Sequence, residues 1–213
     1  MTSPENPARI ITQPWTQADQ EFLTRQLEQG GVLSYPTETA YALGGNALLP
    51  QVAREVYRLK ERSPDKALLL LIDGGRGVEE LARGVSPEAR RLMERFWPGP
   101  LTLVFHSAPG LPAHLPDRRG TVALRWSPHP LLAALHGLKS VPLIGTSANL
   151  SGEPPLLTAG QVREHFPRGL AAVLDGGQTP GGLPSTLVDT TCSPACILRR
   201  GAIEEQAIRD CLG

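Results

Sequence analysis

The sequence lacks several features that would each assign it to a distinct class of protein. No run of apolar residues reaches the roughly 18 that a transmembrane helix needs. Lysine plus arginine number 21, as do aspartate plus glutamate, so bulk charge is not expected to bind nucleic acid, although this leaves room for a local basic groove. Cysteine occurs only three times, which fits a reducing cytoplasm better than a disulfide framework.

The usual motifs of metal-dependent and nucleophilic catalysis are missing as well. The five histidines are scattered, and no His-Glu-x-x-His or catalytic-triad spacing is present. Cys192 and Cys196 have neither a second cysteine pair nor a histidine cluster beside them, so we interpret them as ordinary thiols and expect no protein-held metal. The stretch 73–77 is not a P-loop, because no Gly-Lys-Ser/Thr follows, and we expect a loop there. The polar residues 1–6 do not predict a secretory signal.

The order of the elements predicts an α/β fold. With 213 residues, 40% of them hydrophobic, the chain can bury the core of one large domain. We expect a loose arm over residues 1–14 and a single domain over residues 15–213. Caps at Thr16 and Ser86 begin two of its helices. Helices alternate with strands early and strands pair late, which predicts one open, twisted, mixed sheet flanked by helices.

The chain is organised around residues 32–47, where an apolar strand breaks at Pro36 into a polar turn. Thr37, Glu38, Thr39 and Tyr41 supply hydroxyls, a carboxylate and a phenol. In open α/β sheets, ligands bind at the carboxyl ends of strands. The stretch therefore predicts a ligand site or an ordinary solvated turn, and by itself it favours neither.

Two further polar clusters follow regular elements. Lys60-x-Arg62, with Lys66 beyond it, ends a helix and can converge on one polyanion. The alternative is that these cations only stabilise the C-terminal end of the helix dipole. Taken alone, the cluster is better explained by this alternative. Ser147-x-Asn149 follows a buried strand and can bind a sugar, a phosphate or a carboxylate, or can form a simple polar turn.

Arg125 at the end of a strand, and Ser185-Thr186 at the start of another, are additional candidates. Cations, hydroxyls and amides suit the binding of a phosphate-bearing ligand beside a small polar substrate. Phosphoryl or nucleotidyl transfer needs mostly positioning and charge stabilisation from the protein.

Five short motifs follow one another along the chain. They are Tyr35-Pro36-Thr37-Glu38-Thr39-x-Tyr41, Leu59-Lys60-Glu61-Arg62, Trp97-Pro98-Gly99-Pro100-Leu101-Thr102, Val122-Ala123-Leu124-Arg125 with His129-Pro130, and Thr146-Ser147-Ala148-Asn149-Leu150-Ser151-Gly152. In this order they resemble the motifs of the threonylcarbamoyl-AMP synthases of the YrdC/TsaC type, from about Gln17 to Arg200. The length resembles that of the short bacterial form.

The resemblance implies a YrdC-like fold with a concave, positively charged cleft, and a cytoplasmic nucleotidyltransferase. Its substrates would be L-threonine, bicarbonate and ATP, and its products threonylcarbamoyl-AMP and pyrophosphate. Mg²⁺ would arrive with ATP, and no organic cofactor is implied. Proteins of a transfer complex would then move the threonylcarbamoyl group to adenosine 37 of tRNAs that read codons starting with A. Direct tRNA binding is left open.

The resemblance also implies roles for individual residues. The threonine site would consist of Thr37, Tyr41, Arg125, Ser147 and Ser185. The ATP site would consist of Lys60, Arg62, Lys66, Thr121, Asn149 and Arg199. The catalytic residues would be Lys60, Arg62, Ser147 and Asn149.

Two other functions fit parts of the pattern. A non-catalytic protein that binds double-stranded RNA or tRNA would have no need of Lys60-x-Arg62 together with Ser147-x-Asn149, and a positive net charge is more typical of such proteins. A carbamoyl-transfer paralogue, like the related domain of hydrogenase-maturation proteins, would carry zinc-finger or acylphosphatase-like segments, which this sequence lacks.

Overall fold

A computed structural model describes residues 8–213. The helices in that range are Gln17–Gln29 (α1), Pro50–Leu59 (α2), Gly75–Leu81 (α3), Pro87–Phe96 (α4), Pro130–Leu138 (α5), Ala159–His165 (α6) and Glu205–Leu212 (α7). The strands are Arg9–Thr12 (β1), Leu33–Pro36 (β2), Tyr41–Gly44 (β3), Leu69–Leu71 (β4), Ala82–Arg83 (β5), Leu101–Ser107 (β6), Thr121–Arg125 (β7), Leu143–Ile144 (β8), Thr146–Ser147 (β9), Ala172–Asp175 (β10), Thr186–Asp189 (β11) and Cys196–Arg199 (β12). The predicted α/β class is confirmed.

Local capping explains where two predicted helices begin. Thr16 and Asp19 form a reciprocal capping box at the start of α1, which ends at Gly30 in the left-handed conformation (φ 86°). At the start of α4, the Ser86 side chain accepts a hydrogen bond from the backbone N–H of Ala89, and Pro87 occupies the first turn. These interactions confirm both predicted helices.

The strands form two mixed sheets and not the single sheet predicted, because the chain passes from one sheet to the other between β8 and β9. One has the order β1-β10-β2-β3-β9, and the other has the order β12-β11-β6-β7-β4-β8, with β5 paired to β6. The sheets meet where β8 and β9 are separated only by Gly145, and there the Tyr35 hydroxyl donates to the Ile144 carbonyl. Gly44 is required at this junction, since a Cβ built on it would lie 1.7 Å from the Ile144 oxygen.

The predicted loose arm is wrong for part of residues 1–14. Arg9–Thr12 is a strand that pairs in parallel with β10, and Ile11 is buried against it. Backbone pairing and burial of Ile11 stabilise this strand. The polar residues on either side of it led to the prediction of a loose arm. Residues 1–7 lie outside the described range.

The predicted loop over residues 73–77 is also partly wrong, because helix α3 begins at Gly75. Glycine lowers helix propensity, but Val78 and Leu81 are buried and stabilise the helix through packing. Within residues 8–213, no helix is both long enough and apolar enough to span a bilayer.

Candidate active site

A cleft of about 470 Å³ lies between the two sheets. The alternation of β7 shows how the sequence builds it, because Thr121, Ala123 and Arg125 line the cleft while Val122 and Leu124 belong to the hydrophobic core. The cleft brings together most of the predicted site residues, namely Thr37, Tyr41, Arg62, Thr121, Arg125, Ser147, Asn149, Ser185 and Arg199.

The turn between β2 and β3 is fixed by its own hydroxyls. Thr37 Oγ1 donates to the Ala40 carbonyl at 2.8 Å and accepts hydrogen bonds from the backbone N–H groups of Thr39 and Ala40. The Thr39 hydroxyl lies 3.0 Å from Thr37 Oγ1 and accepts a hydrogen bond from the Arg125 guanidinium at 3.2 Å. This is therefore a bonded turn beside the cleft rather than a solvated one.

Lys60 anchors the turn that follows β9. Its side chain is buried, and its amino group donates to the carbonyls of Ser147 and Asn149 and to Asn149 Oδ1. The Lys60 carbonyl in turn accepts from the N–H of Ser151 at 3.1 Å. Burial, and then the neighbouring charge of Arg62, lower the pKa of Lys60 to about 8. Lys60 thus bonds the 147–149 turn, not the last carbonyls of its own helix.

Four arginines line the cleft, and the charges of three of them, Arg62, Arg125 and Arg199, act on one another. Burial, and then the charges of Arg125 and Arg62, lower the pKa of Arg199. Burial also lowers the pKa of Arg62, which donates to the Ala67 carbonyl while its buried Nε has no partner among the described residues. Like charges held together without carboxylates to neutralise each of them favour an anionic ligand.

Arg125 is held by a carboxylate that is distant in sequence. Its Nη2 and Nε donate to Glu38 Oε1 at 2.6 Å and 3.2 Å, and Ser127 donates to the other oxygen of Glu38. The Arg125 side chain is only 5% exposed, so this ion pair is largely buried. Such a charge would be costly to bury without a partner, and Glu38 both stabilises it and fixes its orientation.

Arg199, on β12 of the same sheet, bonds another part of the cleft lining. Its guanidinium donates to the Ser185 carbonyl at 2.9 Å and to the Ser185 hydroxyl at 3.1 Å. The same hydroxyl lies 2.7 Å from Thr102 Oγ1 on β6. The three side chains therefore fix the start of β11 beside the cleft.

Two predicted site residues, Lys60 and Lys66, do not line the cleft, and a third, Tyr41, lines it with a hydroxyl that is already bonded. Lys60 lies behind the 147–149 turn, and Lys66 is exposed in the segment after α2, outside the cleft lining. Tyr41 borders the cleft but its side chain is fully buried, and its hydroxyl donates to the Gly177 carbonyl at 2.8 Å and accepts from the Gly176 N–H. Burial raises the pKa of Tyr41 to about 12, so the phenol keeps its proton.

The cleft also contains residues that the sequence pattern did not single out. Thr102, Asp117, Arg119 and Glu153 line it. Arg119 pairs with Asp117, and Glu153 Oε2 lies 3.3 Å from His165 Nε2. Thr102 is a polar residue inside an apolar strand, and this pattern could have indicated from the sequence that it faces the cleft.

Comparison with known proteins identifies the family. A family model named Sua5_yciO_yrdC and described as telomere recombination matches residues 25–201. The chain belongs to this family. The resemblance drawn from the five motifs is thereby confirmed.

Individual members of the family are similar over most of the chain. A threonylcarbamoyl-AMP synthase of Thiobacillus denitrificans is 39% identical over 170 residues, which are 80% of this chain and 90% of that protein. The threonylcarbamoyl-AMP synthase of Pyrococcus abyssi is 35% identical over 187 residues, which are 88% of this chain, and the chain spans only 55% of that protein's length. The crystal structure of P. abyssi Sua5 complexed with L-threonine has a TM-score of 0.88 at 31% identity, covering 97% of this chain and 61% of that one.

Proposed function

We propose that the chain joins L-threonine, bicarbonate and ATP to form threonylcarbamoyl-AMP and pyrophosphate. The observation that carries the proposal is the convergence of Arg62, Arg125 and Arg199 with the 147–149 turn in one cleft of a family member. The names of the similar synthases, and the threonine complex of the P. abyssi protein, support the same assignment.

The reaction has two steps. The threonine amine adds to bicarbonate with loss of water, which gives an N-carboxy-threonine. A carbamate oxygen then attacks the α-phosphorus of ATP, and the bond to the β-phosphate breaks as pyrophosphate leaves. Negative charge grows on the leaving group, so cations that bind it act more strongly in the transition state than in the ground state.

The arginines divide between the two substrates in this proposal. Arg125 binds the threonine carboxylate, because Glu38 takes its Nε and Nη2 and leaves the Nη1 edge for a ligand. Arg62 and Arg199 bind the triphosphate and make the cleft positively charged. Ser147 and Asn149 complete the site, and Lys60 holds their turn in place rather than meeting the phosphates itself.

The metal and the macromolecular partners are part of the same proposal. Within residues 8–213, no group of three or more His, Cys, Asp or Glu residues is arranged to hold a metal ion. In this proposal Mg²⁺ enters as the magnesium complex of ATP, held mainly by phosphates and water. The product passes to a tRNA threonylcarbamoyl-transfer complex, which the chain contacts transiently.

The deciding experiment measures pyrophosphate release with ATP and bicarbonate, with and without threonine, and identifies the product by mass spectrometry. We expect release only with threonine, together with threonylcarbamoyl-AMP. Arg62→Ala should lower the rate about ten- to a hundredfold, the equivalent of one charged hydrogen bond of about 1.5–3 kcal/mol. Arg58→Ala is the matched control, because Arg58 lies four residues earlier, in the last turn of α2, and pairs with Glu55 outside the cleft.

A different outcome would favour the non-catalytic alternative. A folded protein that binds tRNA but releases no threonine-dependent pyrophosphate would be an RNA-binding member of the family. Normal turnover by Arg62→Ala would instead remove the triphosphate assignment while leaving the reaction itself intact.

A further inference from the structure

Two of the cysteines lie side by side in the connection between β11 and β12. Cys192 lies in the turn, Cys196 is the first residue of β12, and the Cys192 thiol donates to Cys196 Sγ at a sulfur–sulfur distance of 3.4 Å. Both residues are exposed, whereas Cys211 is half-buried in α7. Their sequence spacing predicts ordinary thiols, but the fold makes them neighbours.

We propose that Cys192 and Cys196 form a reversible disulfide when the protein meets a hydroperoxide. A disulfide needs a sulfur–sulfur distance of about 2.05 Å, so the two atoms must approach by about 1.4 Å. Both side chains are exposed, so rotation about their Cα–Cβ bonds can supply much of this approach without repacking the core. Exposure also gives the oxidant access to the sulfurs.

The chemistry balances with the hydroperoxide as the only added reactant. The Cys196 thiolate attacks one peroxide oxygen, the O–O bond breaks, and an alcohol (or water) leaves while the sulfur becomes a sulfenic acid. The Cys192 sulfur then attacks the sulfenic sulfur, the S–O bond breaks, and water leaves. Donation of its S–H to Cys196 is the main cause that raises the pKa of Cys192, so we assign the first attack to Cys196 and the second to Cys192.

Strand β12 connects this cysteine pair to the cleft. Cys196 and Arg199 are the first and last residues of β12, and Arg199 bonds Ser185 at the cleft wall. A disulfide would close the turn from which that strand starts. The disulfide can be tested without the proposed activity, because the free thiols are counted directly.

The test uses the full chain, reduced completely and then treated with hydrogen peroxide at pH 8. After quenching, free thiols are alkylated and the chain is weighed and mapped by mass spectrometry. We expect a chain two hydrogens lighter, with alkylation only at Cys211 and a Cys192–Cys196 linked peptide, and recovery of all three thiols with dithiothreitol. Cys211→Ser should form the same linkage, and Cys192→Ser and Cys196→Ser should form no intramolecular disulfide.

Several results would overturn the proposal. These are sulfinic or sulfonic acid at Cys196 without a linkage, a disulfide that includes Cys211, linkage between chains only, or thiols that stay reduced under conditions that oxidise dithiothreitol. Melting temperatures of the serine variants should match that of the unmodified chain. If Cys192→Ser or Cys196→Ser melts at a lower temperature, the linkage is judged from Cys211→Ser, which keeps both proposed cysteines.

Discussion

Replacing Lys60 by methionine separates a positioning role from a purely structural one. Methionine keeps the unbranched, flexible shape of the buried side chain but has no donor and no charge. The Asn149 carbonyl loses the donor that it has in the structure, whereas Asn149 Oδ1 keeps the Ser147 hydroxyl and the Ser147 carbonyl keeps the Asn149 N–H. The 147–149 turn then loses its link to the end of α2.

Two opposing contributions decide the effect of Lys60→Met on folding. A pKa that falls from 10.5 to about 8 corresponds to about 3 kcal/mol of cost for keeping the ammonium charged at neutral pH, and methionine removes that cost. A buried carbonyl left without a partner costs about 1–3 kcal/mol, and the lost bonds to the other acceptors add to this. The free energy of unfolding should therefore change by no more than about 2 kcal/mol.

Activity should respond far more strongly than stability. A shift of about 1 Å in a positioned group can cost about a hundredfold in rate, and the turn carries Ser147 and Asn149. We expect Lys60→Met to lower threonine-dependent pyrophosphate release about a hundredfold at saturating substrates while its urea midpoint stays close to that of the unmodified chain. Lys139→Met is the control, because Lys139 pairs with Glu28 on the surface at 3.0 Å. A Lys60→Met protein with normal turnover would refute the reasoning.

Three further predictions concern the same site. The pKa of Lys60 is about 8 in the folded chain and 10.5 as the ordinary value, so the folded chain loses this proton at lower pH than the unfolded chain. The free energy of unfolding, relative to that of Lys60→Met, should therefore rise by about 2 kcal/mol from pH 7 to pH 9.5. Urea titrations that show a constant or falling difference would contradict this. Arg125→Lys keeps the charge but loses the planar fork, so initial rates should show at least about a tenfold higher KM for threonine and an unchanged KM for ATP. Arg76→Lys is the control, because Arg76 pairs with Glu80 on the surface outside the cleft. Equal rises in both KM values would argue against a carboxylate-specific role. Calorimetric titration of Mg²⁺ should show no tight site without ATP, and micromolar binding to the ATP-free protein would argue for a protein cage.

Features that depend on neighbouring residues were predictable from the sequence. The caps at Thr16 and Ser86 set two helix starts, and the alternation of residues 121–125 divides a cleft face from a core face. Polar side chains that directly follow apolar strands also indicated the site, because ligands bind at the carboxyl ends of strands in open α/β sheets. These are short-range effects of backbone geometry and side-chain period.

The role of each polar side chain was decided only by tertiary packing. Lys60 and Arg62 are two residues apart, yet one is bonded to the 147–149 turn and the other lines the cleft, because only Lys60 meets the acceptors of that turn. Arg125 and Glu38 pair across 87 residues, and no local pattern encodes that partnership. Hydrogen bonds and ion pairs act over a few ångströms in space, so the packing of the two sheets determines which groups become a site.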